Sequence, residues 1–517
     1  MDGTIAGNPL LRTIGAATVG LLVAVVLGAQ IGEGSLVLPL VFASLLVVGS
    51  LYLIFFRATR IEALAVGFLI IGYIVGNRGF AQISLLARMP LFLGEVALAL
   101  CAVLILARMT LQRERLLPNT PLGCIVFAYL GVGAIRLFLD VVVRVNHADV
   151  MTAVRDSATV DYAFFFLVAY RLGSMPRARR VLERCLVAAF LILPVVVLVS
   201  IFIPDKLMSI RLRGYPVIFH KYDLTTAYLS FASIYFFLAA LDGKRRMIRL
   251  VLSVAYLCLM LMIVTRAAIF GFGCATLLLI AARQFRFLFV QALMVLIAAT
   301  TIATLQVTNT GGQSFLAPLA DKVESMTDFS GQGRSYRGEF GEVAADNNQF
   351  RLVWWRAVID ETVAKGPIFG LGFGYDLASN FVREYYGTYY RDFETRSPHS
   401  IWVTIFGRMG LIGLLVFIAF AFIFVRDAFR VALQVRAGRA PPIALVHWCG
   451  AAILLGSSSF GVVLEGPMGA VVFWTLLGLA ASTPVPQAEP VEPKRLEPAR
   501  APISFRRRPQ PTLAGAR

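Results

Sequence analysis

The residues best suited to chemistry in this chain are arginines and a histidine that stand where membrane sequence ordinarily excludes them. Arg266 interrupts the apolar run LCLMLMIVTRAAIFGFG beside Thr265; Arg211 and Arg213 lead into Gly214 in RLRGYPVIFHKYDLTTAYLSF, close to His220 and Lys221; Arg155 and Asp156 stand just before an apolar stretch. Arginine is costly within hydrocarbon and disfavoured in outer loops, so each of these calls for a partner, usually an anion. Arg136 and Asp140, one helical turn apart, can instead satisfy each other as an internal ion pair. A polar insert from about Gln306 to Pro398 adds Arg351, Trp355, an aromatic run and, at its exit, His399. Such an insert can hold a water-soluble reacting group against a lipid-borne one.

Positioning these residues falls to membrane helices. The 517 residues are 58% hydrophobic and only 15% charged, with a mean hydropathy of +0.77. That is more apolar surface than a soluble fold of this length can bury. Apolar runs long enough to cross a bilayer, about 17 to 25 residues each, recur along nearly the whole chain. We expect an all-α polytopic membrane protein of about 12 to 14 spans, the fourteen candidates centring near Gly20, Leu45, Ile70, Ala97, Leu130, Leu167, Val195, Ala232, Leu257, Leu277, Val295, Leu414, Leu454 and Leu476.

The net charge of +18 would suggest nucleic acid in a soluble protein, but its distribution points to topology. Alternate connections hold Arg57/Arg60, Arg108/Arg113/Arg115, Arg177/Arg179/Arg180/Arg184, Lys244/Arg245/Arg246/Arg249, Arg283/Arg286 and Arg426/Arg430/Arg436/Arg439, the positive-inside pattern. Both termini are then expected in the cytoplasm and the insert outside. The expected organisation is a helix bundle over 1–304, an outer loop with short amphipathic helices over 305–398, further spans over 399–482, and a disordered cytoplasmic tail over 483–517. Met1–Leu10 lacks a cleavable signal pattern and reads as leading into an uncleaved first span. The tail is rich in proline and ends near Arg506/Arg507/Arg508, a cluster that is either solvated or rests on anionic lipid. The six cysteines have no metal-ligand or CxxC spacing and read as packing residues, so neither metal nor disulfide is expected.

Within the insert, QFRLVWWRAVIDETVAKGP reads as an amphipathic helix near the bilayer surface, capped by Asn348, with Leu352, Trp355 and Ile359 on one face and Gly366-Pro367 as its stop. The following GLGFG is a tight turn, although its amides could also hold a pyrophosphate. Tyr385, Tyr386, Tyr389 and Tyr390, interleaved with Arg383, Arg391 and Arg396, suit either an interfacial belt or stacking on sugar rings. Of the four histidines, His147 and His447 read as structural, while His399 at the mouth of a span stands out by its neighbours.

Thr265-Arg266-Ala267 at the end of an apolar span, a large outer loop, Arg351-x-x-x-Trp355-x-Ala357, Pro367-x-x-Gly370-x-Gly372-x-Gly374, His399 and Gly410-x-x-Gly413 follow in an order that resembles the O-antigen ligase and O-antigen polymerase family of bacterial envelope proteins. The resemblance covers about Leu250 to Val425; Arg213-Gly214 and Arg155-Asp156 fit it more loosely. The family's His-Asn is His399-Ser400 in this chain.

The resemblance implies a multi-pass glycosyltransferase of the bacterial inner membrane, acting at the periplasmic face on an undecaprenyl-diphosphate-linked glycan, with a glycan or lipid as acceptor and no metal, cofactor or nucleic acid. Arginine forks match phosphate oxygens, so Arg266, Arg211, Arg213, Arg155 and Arg351 would hold the diphosphate, with Arg266 also stabilising charge on it as it leaves. His399 would position the acceptor hydroxyl or take its proton. Trp355, Tyr385 and Tyr389 would contact the glycan. Direct displacement would invert the anomeric carbon. A polymerase, taking a second lipid-linked repeat as acceptor, and a transporter of an anionic substrate remain alternatives; transport predicts charges continuing across the membrane midplane, whereas here they gather at the outer side.

Overall fold

The computed structural model describes residues 61–84, 92–112, 118–145, 149–212, 214–241, 245–263, 265–293, 339–385 and 396–483, with positions 243, 296 and 297. The spans expected near Gly20, Leu45 and Val295, the insert before 339, His147, Arg213, Tyr389 and the tail lie outside the described residues. In chain order the helices are α1 (Ile61–Val75), α2 (Asn77–Ala81), α3 (Leu93–Gln112), α4 (Pro121–Val141), α5 (Val150–Asp161), α6 (Phe164–Gly173), α7 (Pro176–Phe202), α8 (Pro204–Ser209), α9 (Tyr222–Leu241), α10 (Arg246–Met262), α11 (Arg266–Ala281), α12 (Glu339–Lys365), α13 (Ser379–Tyr385), α14 (Ile401–Arg436), α15 (Val446–Ser457) and α16 (Pro467–Ala481). Two-residue strands, Arg211–Leu212 and Tyr215–Pro216, form a hairpin at Gly214, whose φ of +88° suits glycine.

The protein is an all-α membrane protein: α4, α7, α9 and α14 are each long and apolar enough to cross a bilayer, and α1, α11, α15 and α16 are shorter apolar helices. The apolar run around Arg266 is indeed divided, since α10 ends at Met262 and α11 begins at Arg266 after an extended Thr265. At the centre lies α9, buried almost continuously from Leu224 to Ala240. Its serines are satisfied within the bundle: Ser233 Oγ donates to the Ser253 carbonyl and Ser253 Oγ to that of Ser233, each at 2.8 Å, tying α9 to α10. Such exchanges between helices replace the water that a bilayer core lacks. Helices α11 and α15 approach closely at Gly271, where a Cβ would come within 2.2 Å of the Ile453 carbonyl oxygen.

The insert differs from its sequence reading in two respects. Helix α12 begins at Glu339, so Asn348 lies inside it and not at its start. Its buried face is Trp354, Val358, Glu361 and Thr362, whereas Leu352, Ile359 and Val363 are 38%, 39% and 56% exposed. Trp354 stacks on Phe381 of α13 at 4.7 Å, and Leu371, Leu377 and Val403 complete a core beneath it. Both faces of α12 carry apolar residues, and tertiary packing selects between them. The exposed stripe still suits a bilayer surface.

The two glycine motifs are halves of one lock. Helix α14 breaks at Gly410 (φ +63°, ψ −158°), and the loop after Gly366 runs against the break: Leu371 N donates to Gly407 O (2.7 Å), Gly372 N to Arg408 O (3.1 Å) and Leu411 N to Pro367 O (2.9 Å). A Cβ on Gly370 would sit 2.5 Å from the Arg408 carbonyl carbon, so the approach excludes any larger residue. The remaining loop amides are also committed. Phe373 N donates to Asp140 Oδ2 (2.7 Å) and Gly374 N to Asp156 Oδ2 (3.0 Å), so GLGFG is a structural turn without amides to offer a pyrophosphate. Asp140 is paired with Arg136 through contacts of 2.7 and 3.0 Å, the internal ion pair read from sequence, and Asp156 with Arg408 at 2.9 Å. Removing one partner of such a buried pair strands the other charge. We expect Asp140→Ala to lower stability by about 3–5 kcal/mol, read by thermal unfolding of purified protein; an unchanged transition would show that the lock carries no energy.

Candidate functional site

One end of the bundle gathers the starts of α9, α11, α14 and α16. Thr226 Oγ1 donates to Ile263 O at 2.9 Å, Lys221 Nζ to Val462 O at 3.2 Å, and Ile401 N to Ser458 O at 3.0 Å. Across this end runs a short strap, Ser397–Ser400, that delivers His399.

His399 adopts φ +59°, the left-handed region that non-glycine residues rarely occupy. The strap is held there from several directions. Trp355 Nε1 donates to Pro398 O at 2.6 Å, His399 N donates to Ser397 Oγ at 3.3 Å, and Trp402 Nε1 donates to Ser459 Oγ at 3.0 Å. Ser397 and Thr404 hydroxyls, on either side of the histidine, both donate to the Glu465 carboxylate. Strain of this kind persists only where the surroundings over-determine it. The imidazole stands edge-on to Trp354 (5.7 Å between ring centres) and Phe350 (6.2 Å). Its Nδ1 is buried and makes no hydrogen bond. Burial, then the neighbouring Lys221 and Arg351 cations, push its pKa down to about 3, so the ring is neutral at physiological pH.

The Arg351-x-x-x-Trp355 spacing now has a cause. Residues i and i+4 share a helix face, so the turn of α12 that pins the strap through Trp355 also brings Arg351 to His399. Arg351 Nε is buried without a hydrogen bond; burial lowers its pKa and nearby Asp223 opposes the shift. Lys221, immediately before α9, is likewise lowered mainly by burial, with Asp223 and Glu465 acting against it and Arg78 and Arg351 with it. Below the strap an apolar cavity of about 700 Å³ lies between α11, α14 and α15, lined by Phe270, Leu277, Trp402, Phe424 and Phe460, with Trp355 and Ser400 among its walls.

Burial raises the Glu465 pKa to about 7, against the Thr404 hydrogen bond and the charges of Lys221 and Arg408. A carboxyl raised above its unfolded value stabilises the fold fully below about 4.5, and that contribution fades as pH rises through about 7. The stability of wild type relative to Glu465→Gln should therefore fall between pH 4.5 and 7, as followed by thermal melts. A constant difference would mean that Glu465 does not titrate in that window.

The other sequence candidates are distributed unevenly. Arg266 opens α11 at the rim of the cluster: a Cβ on Gly461 would lie 3.4 Å from Asp223 Oδ2 and 3.6 Å from Ala267 Cβ. Arg211 is exposed on the hairpin, its Nε donating to Met208 O at 3.3 Å, and Arg155 is exposed on α5, where neighbouring Asp156 makes the contacts. Tyr385 is the last residue of α13. Trp355 is partly buried, with its indole nitrogen committed to the strap. Among the described residues no group of three or more His, Cys, Asp or Glu is placed to hold a metal ion. Sequence reading missed Lys221, Asp223 and Glu465. Glu465 carries the same signal as Arg266, an isolated charge in apolar sequence.

Residues 251–418 match a family model described as O-antigen ligase. No curated protein matches the chain.

Proposed function

From the O-antigen ligase family domain that the chain carries at residues 251–418, which spans the α10–α11 junction, α12, the glycine lock and His399, we propose that the protein transfers a glycan from undecaprenyl diphosphate to an acceptor hydroxyl. The reaction takes place at the periplasmic face of the bacterial inner membrane, in the manner of a ligase. The observation that carries this reading is His399, its Nδ1 buried and unbonded, close to Arg351 and Lys221 above an apolar cavity.

Each part of a lipid diphosphate donor has a matching environment. The diphosphate bears about two negative charges and meets Arg351, whose fork suits phosphate oxygens, with Arg266 at the rim. Arg155, Arg211 and Arg213 would draw the headgroup to the site from solution. The isoprene units nearest the diphosphate would occupy the apolar cavity, with the rest of the chain in the bilayer, and Tyr385, Tyr389 and Trp355 would contact the glycan. In the step itself, the acceptor oxygen attacks the anomeric carbon and the bond from that carbon to the phosphate oxygen breaks. The electron pair leaves on the lipid diphosphate, and the acceptor proton passes to His399. One displacement inverts the anomeric configuration, and it needs no metal or cofactor.

Deleting the gene and separating the cell's glycans on a gel tests the assignment. Long glycan that remains unattached to its acceptor supports a ligase; a single capped repeat identifies a polymerase instead, and an unchanged profile contradicts both.

A further inference from the structure

His399 is held by a group that belongs to neither its strap nor the insert. Glu465 lies in the segment between α15 and α16, and the bundle fixes that segment on both sides of it. Lys221 Nζ donates to Val462 O at 3.2 Å, and the Tyr228 hydroxyl of α9 donates to Met468 O. A Cβ on Gly469 would come within 2.1 Å of the Val463 carbonyl oxygen, so the first turn of α16 folds directly onto the same segment.

From this base the carboxyl group grips the strap at two points. Its Oε2 accepts the Ser397 hydroxyl and its Oε1 the Thr404 hydroxyl. Ser397 Oγ in turn accepts His399 N at 3.3 Å, and Thr404 N donates to Ser400 O at 2.9 Å. The two bridged hydroxyls therefore bracket the left-handed residue, His399 at φ +59°. An ionised carboxylate accepts on both oxygens, as two converging hydroxyl donors require, whereas an amide offers one acceptor and one donor. The cations facing Glu465, Lys221 before α9 and Arg408 on α14, favour its charged form against burial.

We propose that Glu465 is a positioning residue for glycan transfer, which holds Ser397 and Thr404 so that the left-handed turn between them aims the His399 imidazole at the acceptor hydroxyl. This role rests on the transferase reading. A histidine in the left-handed region keeps that conformation only while its neighbours restrain it. Trp355 restrains the strap at Pro398 and Glu465 restrains it on both flanks, so without the carboxylate the backbone can relax and carry the ring away from the acceptor.

The test uses the full-length protein in nanodiscs, supplied with an undecaprenyl-diphosphate-linked glycan and acceptor lipid. Glu465→Gln should lower kcat about 10- to 100-fold, the scale of a misplaced reacting group, and leave donor KM within about twofold. Thr404→Val, similar in shape and without effect on any charge, should lower kcat in the same direction. In a His399→Asn background Glu465→Gln should cost less than about twofold more, because no imidazole remains to be aimed. Equal losses in both backgrounds, or wild-type kcat in both Glu465→Gln and Thr404→Val, would overturn the role. A readout without turnover is NMR of labelled imidazole in the empty protein, where the His399 ring signals should move in Thr404→Val; unmoved signals would also overturn it. Moved signals in a wild-type protein that transfers no glycan would sustain the clamp on His399 and refute the transferase reading.

Discussion

Replacing His399 by asparagine is expected to slow glycan transfer by about 10²- to 10⁴-fold, the usual contribution of a positioned general base, while leaving donor KM within a few-fold. Asparagine is the informative substitution because it tolerates the positive φ that His399 adopts, so a lost rate reports the imidazole and not a collapsed strap. A ring with a pKa near 3 in the empty site can still act as a base once the donor is bound. Burial and two cations hold its proton affinity down in the empty site. On the proposed function, a diphosphate beside Arg351 and Lys221 would offset those cations, so donor binding would raise the pKa and ready the base. Single-turnover transfer across pH should therefore show an acid limb well above 3, and the limb should be absent from the residual rate of His399→Asn. A variant with wild-type kcat would remove the histidine from the chemistry.

Arg351→Ala should cut kcat/KM for the donor by about 10²- to 10³-fold, in line with the loss of one preorganised donor to a developing anion. Arg351→Lys should recover only part of this, since an ammonium lacks the two-pronged fork. A second readout is independent of activity. Removing the arginine takes away one of the two cations that depress His399, so the His399 ring should titrate higher in Arg351→Ala than in wild type, measurable by NMR of labelled imidazole in the empty protein. An unmoved titration with an intact fold would mean that the two side chains do not face each other in solution.

Much of this arrangement was legible in the sequence, and the parts that were not share a cause. Hydropathy gave the helical membrane fold, and the isolated Arg266 correctly marked the break between α10 and α11. Arg351, Trp355 and His399 were recognisable from their order along the chain, and the structure brings them together through the strap that Trp355 pins. The buried face of α12 was not legible: Leu352, Trp355, Ile359 and Phe350, Trp354, Val358 are both apolar stripes, and only packing on α13 and α14 distinguishes them. Nor could the glycine motifs be interpreted separately. Gly370 and Gly410 make sense only against each other, because each leaves room for the other's backbone. Lys221 and Glu465 reach the site from segments 244 residues apart, a distance over which local patterns carry no information.

Transfer can be measured with the purified protein in nanodiscs, supplied with an undecaprenyl-diphosphate-linked glycan and the acceptor lipid fraction of its own cells. The products would be followed as glycosylated acceptor and released lipid diphosphate. Wild type is predicted to form both in equal amounts and with inversion at the anomeric carbon, and His399→Asn/Arg351→Ala to form neither. Equal turnover by that double variant, or a retained anomeric configuration, would contradict the account.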